Sequence, residues 1–116
     1  MLARGGAGAA ARLNRILAEW PGVRITPMFG RWSYFVGACL FACFPLREAD
    51  SDLWVRLTPP DQARALRAGA RPHRRFARRG WIELDVAADA DVEAALHWLR
   101  RAHAAARAMP HDEEAT

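Results

Sequence analysis

The chain has 116 residues, among them 17 Arg and no Lys, 13 Asp or Glu, 4 His and 2 Cys, with 52% hydrophobic and 26% charged. That length fits one domain, and folding removes roughly two-thirds of the unfolded surface from water, enough for a real core. Five Trp, five Phe and regular apolar runs exclude a disordered chain or a repeat array.

The formal charge of +4 is uneven. From Arg64 to Arg79 there are seven Arg (Arg64, Arg67, Arg71, Arg74, Arg75, Arg78, Arg79) and no acid, so the rest of the chain stands at −3. Set against this, Arg without Lys beside 25 Ala is also the composition of a GC-rich coding sequence. The longest stretch without a charge, Trp32 to Leu46, is too short for a hydrocarbon core of roughly 30 Å and contains Gly37 and Pro45. The first dozen residues place Arg4 and Arg12 among Gly and Ala, too weakly apolar for a signal peptide. A cytoplasmic protein without membrane contact is expected. Cys39 and Cys43 lie in one predicted strand, about 13 Å apart at ~3.3 Å per residue, out of disulfide reach and read as free, buried thiols.

In chain order, residues 1–8 lack periodicity and read as a flexible end, residues 9–108 as a single domain and 109–116 as a polar tail. Leu13, Ile16, Leu17 and Trp20 form one helical stripe, which Pro21 and Gly22 stop. Val23 to Met28 is a short strand, with Met28 and Phe29 read as core anchors at a sheet corner. Trp32 to Val36 and Ala38 to Phe44 form a hairpin at Gly37. In the second run Cys39, Phe41 and Cys43 alternate against Leu40, Ala42 and Phe44, and neither face is polar.

Leu53 to Leu57 is a strand with Leu53, Val55 and Leu57 on one face. Thr58, Pro59, Pro60 and Asp61 start a helix that ends near Gly69, with Thr58 as a hydroxyl N-cap. Arg71 to Arg79 reads as a strand and turn around Phe76. Trp81 to Val86 alternates as an edge or end strand. Asp89 caps a last helix whose core face is Val92, Ala95, Leu96, Leu99, Ala102 and Ala106, ended by Pro110. The order α-β-β-β-β-α-β-α lacks parallel crossovers. It predicts a two-layer α+β fold, a single antiparallel sheet of about five strands with flanking helices.

Chemistry-bearing residues are sparse. Ser33 and Ser51 lie in no nucleophile turn, and there is no Lys for a Schiff base or a P-loop. His73, His97, His103 and His111 are too scattered to close a tetrahedron with Cys39 and Cys43, and read as surface or boundary side chains. Glu83 and Asp85 share a strand face and read as solvated. The chain is expected to be noncatalytic, with no metal and no cofactor.

Guanidinium groups fork onto phosphate oxygens, so Arg67, Arg71, Arg74, Arg75, Arg78 and Arg79 are the candidate nucleic-acid contacts. Phe76 and Trp81 stand beside them as stacking partners or as core. The competing expectation is a protein-interaction module, a homodimer or adaptor joined through exposed sheet or helix faces; the aromatics Trp32, Tyr34, Phe41 and Trp54 read first as core and second as such a partner surface.

Four segments carry a family resemblance: Pro27-Met28-Phe29-Gly30, the hairpin from Tyr34 to Ala42, Leu53-Trp54-Val55-Arg56-Leu57 before a Pro-started helix, and Leu96 to Ala102. In that order they resemble the TfoX amino-terminal domain family, over about residues 13 to 107. Arg79-Gly80-Trp81-Ile82-Glu83-Leu84 looks closer to the related MmcQ/YjbR-like proteins. The resemblance implies one antiparallel sheet with flanking helices, like that of secretion chaperones. It also implies DNA-linked regulation, since TfoX regulates natural competence with a transcription activator and MmcQ/YjbR-like proteins are described as candidate DNA-binding proteins. Neither family supplies a catalytic set. The sequence ends at Thr116, without the second domain of the full regulator, so the expectation concerns the domain and not the competence role.

Overall fold

The computed structural model describes residues 5–47 and 49–109. Their order is α1 (Gly5–Leu17), β1 (Val23–Met28), β2 (Arg31–Val36), β3 (Cys39–Pro45), β4 (Asp52–Arg56), α2 (Pro59–Arg67), β5 (Arg71–Pro72), a 3-10 turn (Ala77–Arg79), β6 (Trp81–Asp85) and α3 (Asp89–Ala108). The strands form one antiparallel sheet in the order β1-β2-β3-β4-β6-β5. The α+β single-sheet expectation holds, with six strands instead of about five because the two-residue β5 pairs onto β6. That pairing also makes β6 an inner strand, not an edge.

Register sorts the side chains into two faces. Ile25, Tyr34, Ala42, Val55 and Ile82 are successive cross-strand partners, and this row faces the helices. There α1 brings Leu13 and Leu17, and α3 brings Val92, Leu96 and Leu99, into one buried cluster with Phe41, Phe44 and Leu53. Each such side chain taken out of water contributes about 1.5–3 kcal/mol. The neighbouring row, Ser33, Cys43, Trp54, Glu83 and Arg71, points to the opposite face.

Polar side chains join the layers. Tyr34 donates its hydroxyl hydrogen to Asn14 Oδ1 at 2.6 Å, and burial pushes the phenol's pKa well up. His103 lies between the rings of Trp20 and Phe41, at centroid distances of 5.2 and 5.7 Å, and its Nε2 donates to the Pro21 carbonyl at 2.8 Å. Asp61, buried at the start of α2, accepts from Arg101 Nε of α3 and Arg64 Nη1, both at 2.8 Å. The Arg101 hydrogen bond leads in holding the Asp61 carboxyl below its usual range, against the opposing effect of burial.

Several expectations are corrected. α1 begins at Gly5, inside the stretch read as a flexible end; residues 1–4 and 110–116 lie outside the described residues. β3 carries a bulge: Tyr34 pairs with Ala42 and Phe35 with Leu40, leaving Phe41 as the extra residue. The alternation therefore reverses there, and Cys39 faces the helices while Cys43 faces away. Both cysteines are buried. His73 and His103, expected at the surface or boundary, are buried, as is Glu83.

The N-cap of α3 is Ala88, not Asp89. Asp91 reaches back to accept from the backbone N–H groups of Ala87 and Ala88, both at 3.0 Å, which lowers its pKa. Thr58 occupies the N-cap of α2 but makes no side-chain cap bond. Phe29 is no core anchor: it is 93% exposed.

Candidate nucleic-acid interface

The segment between β5 and β6 is short of secondary structure but tightly held. His73 Nδ1 accepts from the backbone N–H groups of Arg75 and Phe76 at 3.0 and 3.1 Å, fixing the proton of the neutral ring on Nε2. The His73 ring stands edge-on to Trp54 at 4.3 Å and against Phe76 at 5.1 Å. Gln62 of α2 donates to the carbonyls of Ala77 and Trp81 at 2.7 and 3.3 Å. The 3-10 turn closes with Arg79 N–H on the Phe76 carbonyl, and Gly80, at φ 96°, turns the chain into β6. Three independent ties thus hold the backbone of this loop.

The seven arginines do not share one environment. Arg64 is matched by Asp61. Arg71 on β5 forks onto both oxygens of Asp85 at 3.0 and 3.1 Å and lies 3.6 Å from Glu83, and the Asp85 bonds raise its pKa further. Arg74 lies 3.4 Å from Glu83 Oε2. Arg67 is exposed at the last turn of α2, in the helix layer. Arg75, Arg78 and Arg79 are exposed in the loop, and among the described residues none of these three, nor Arg67, has a carboxylate partner. Of the six residues singled out from the sequence, Arg75, Arg78 and Arg79 stand exposed in the loop, Arg67 lies on α2, and Arg71 and Arg74 are tied to acids.

Beside this loop the sheet face turned away from the helices is hollowed into a groove of about 260 Å³. Phe29, Leu40, Trp54, Phe76, Trp81 and Arg79 line it. Its floor is stiffened by Arg31, whose guanidinium lies over the Trp54 ring, 3.6 Å from the centroid. Arg31 also pairs with Asp52 Oδ2 at 3.3 Å and donates to the carbonyls of Cys43 and Asp52. Cys43 sits beneath, and burial pushes its thiol pKa up, which keeps it protonated and inert.

Two aromatics reach solvent at the groove, Phe29 at 93% and Phe76 at 42% exposure. Phe29 and Gly30 are the two loop residues of the β1–β2 hairpin, with φ of 54° and 77°. Positive φ at both positions is the type I′ geometry, which favours Asn or Asp followed by Gly and strains a bulky side chain.

The sequence reading missed Phe29 and Arg31 as groove residues. Phe29 carried a signal, an apolar residue immediately before Gly between two strand patterns, which is a turn position and not a core one. Arg31 carried none, because its stacking on Trp54 depends on register across β2, β3 and β4.

An antiparallel sheet with helices on one face, and on the other an aromatic groove flanked by an arginine-bearing loop, defines a small single-sheet α+β domain. The model of the TfoX N-terminal domain matches residues 15–106, from the last turn of α1 to the last turns of α3, and the chain belongs to that family. Among curated proteins none matches it in sequence.

Proposed function

We propose that this domain is a nonenzymatic regulatory module of the cytoplasm that contacts DNA through Arg75, Arg78 and Arg79, with Arg67 adding charge from α2. The observation that carries the reading is the placing, in one held loop next to an exposed aromatic, of three arginines that have no carboxylate partner among the described residues. A field of like charges within a Debye length of about 8 Å favours a polyanion over a single small anion. The noncatalytic part is supported by how the reactive groups are spent: Asp61 and Glu83 neutralise arginines, His73 Nδ1 holds two backbone N–H groups, and both thiols are buried.

The test is the salt dependence of DNA affinity. A plot of log K against log salt should fall linearly, and replacing Arg75, Arg78 and Arg79 together with Ala should make the slope shallower by about 2 to 3. Arg71, already matched by Asp85, should contribute little to it. No salt-sensitive binding at low ionic strength overturns the reading.

A second reading is favoured by the exposure of Phe29 and the apolar groove: a homodimer or adaptor joined through this sheet face. It predicts a concentration-dependent dimer mass in sedimentation that Phe29→Asn abolishes. A monomer at all concentrations counts against the homodimer.

A further inference from the structure

We propose that the nucleic acid taken by this surface is single-stranded, with one unpaired base entering the groove that Phe29 and Phe76 border. The inference rests on the arginine-loop reading above and adds the class of ligand.

Duplex DNA hides its base faces and offers phosphates and groove edges, so a duplex reader needs polar side chains aimed at edges. This groove offers the reverse. Its lining is dominated by rings and aliphatic carbons, and Arg31 is already engaged by Asp52 and the carbonyls of Cys43 and Asp52. Such a lining is suited to the π-face that every base shares and that only an unpaired base exposes. The volume of about 260 Å³ lies just under the range of drug-sized sites and suits a single ring system.

Phe29 adds an independent observation. A side chain 93% exposed at φ 54° contributes little to the core and strains its own turn, so the fold does not account for Phe at that position. A ring available for stacking does. Arg79 lines the same groove without a carboxylate partner among the described residues, and Arg75 and Arg78 stand in the same loop. A base in the groove would therefore bring its flanking phosphates toward cations, the combination of stacking platform and basic track that holds single strands.

The experiment is fluorescence anisotropy with one mixed-sequence oligonucleotide, labelled and used either single-stranded or annealed to its complement, at low ionic strength. The single strand should bind more tightly than the duplex. Phe29→Asn, which suits the left-handed turn and preserves the hairpin, and Phe76→Ala should each weaken the single strand about tenfold while leaving the salt slope unchanged. Duplex affinity should not respond to either. If the duplex binds as well or better and the aromatic substitutions change nothing, the single-strand inference fails while the arginine reading stands. If neither form binds, both fail. If polyglutamate binds as tightly as the oligonucleotide, and Phe29→Asn weakens both equally, the surface is a receptor for acidic protein segments and the proposal is overturned.

Discussion

Gly80 shows how far one residue determines the placing of the arginine loop. It follows the 3-10 turn and adopts φ 96°, a region that L side chains rarely enter, while its carbonyl accepts from Leu57 N–H at 2.9 Å. A Cβ at this position would lie 2.2 Å from the Leu57 carbonyl oxygen, and that oxygen belongs to backbone with no freedom to swing aside. Strain and clash act together, so Gly80→Ala should destabilise the fold by more than about 2 kcal/mol. Chemical denaturation monitored by Trp fluorescence reads this directly. A midpoint unchanged within error would mean that the turn re-forms around the new methyl group. At Gly69, also at positive φ (110°), an added Cβ would meet nothing within 4 Å. Gly69→Ala should therefore lose only the backbone term, making it the control that separates strain from clash.

At the scale of elements, legibility followed the range of the interactions that decide each feature. The core face of α3 was readable because a helical period of 3.6 residues is local, and Val92, Ala95, Leu96, Leu99, Ala102 and Ala106 are all buried. The Gly37 hairpin was readable for the same reason, with Val36 and Cys39 closing a two-residue loop. The faces of β4 and β6 also followed from alternation alone. In β3 the alternation was correct locally but could not report the bulge at Phe41, which arises from pairing with β2 and sends Cys43 to the groove side.

The burial of His73 and Glu83 was equally hidden, because both are covered by a loop that pairs only two residues with the sheet. For the candidate site, the arginine segment was visible as a run of charge. Its division into matched and unmatched members was not, since Asp85 and Glu83 reach Arg71 and Arg74 only after β5 docks on β6. The groove needed three separate segments, the β1–β2 turn, the sheet face and the loop, to meet.

For the whole molecule, these arrangements link stability to pH, and the sign follows from which form each pocket favours. Burial leads in lowering the His73 pKa below its ordinary 6.5, helped by Arg74 and Arg31 and opposed by Glu83 and Asp52. The unfolded chain therefore binds that proton more readily than the folded one. Stability from His73 is complete above about 6.5 and declines as pH falls below it. Protonation also removes the Nδ1 lone pair that holds the N–H groups of Arg75 and Phe76, so the decline begins in the loop that carries Arg75, Arg78 and Arg79.

Asp61 and Asp91 add a second decline. Their pKa values lie below the ordinary 3.8, so the stability they contribute is present above that value and is lost as pH falls further. Urea midpoints measured across this range should fall in two stages, the upper one starting near neutral pH. His73→Gln supplies an uncharged acceptor and should flatten the upper stage while leaving the lower one in place; Asp61→Asn should do the opposite and lower stability at neutral pH, because Arg101 and Arg64 lose their counter-charge. An upper stage that persists unchanged in His73→Gln would place its origin in a different histidine and would remove the titration of His73 from the control of the loop.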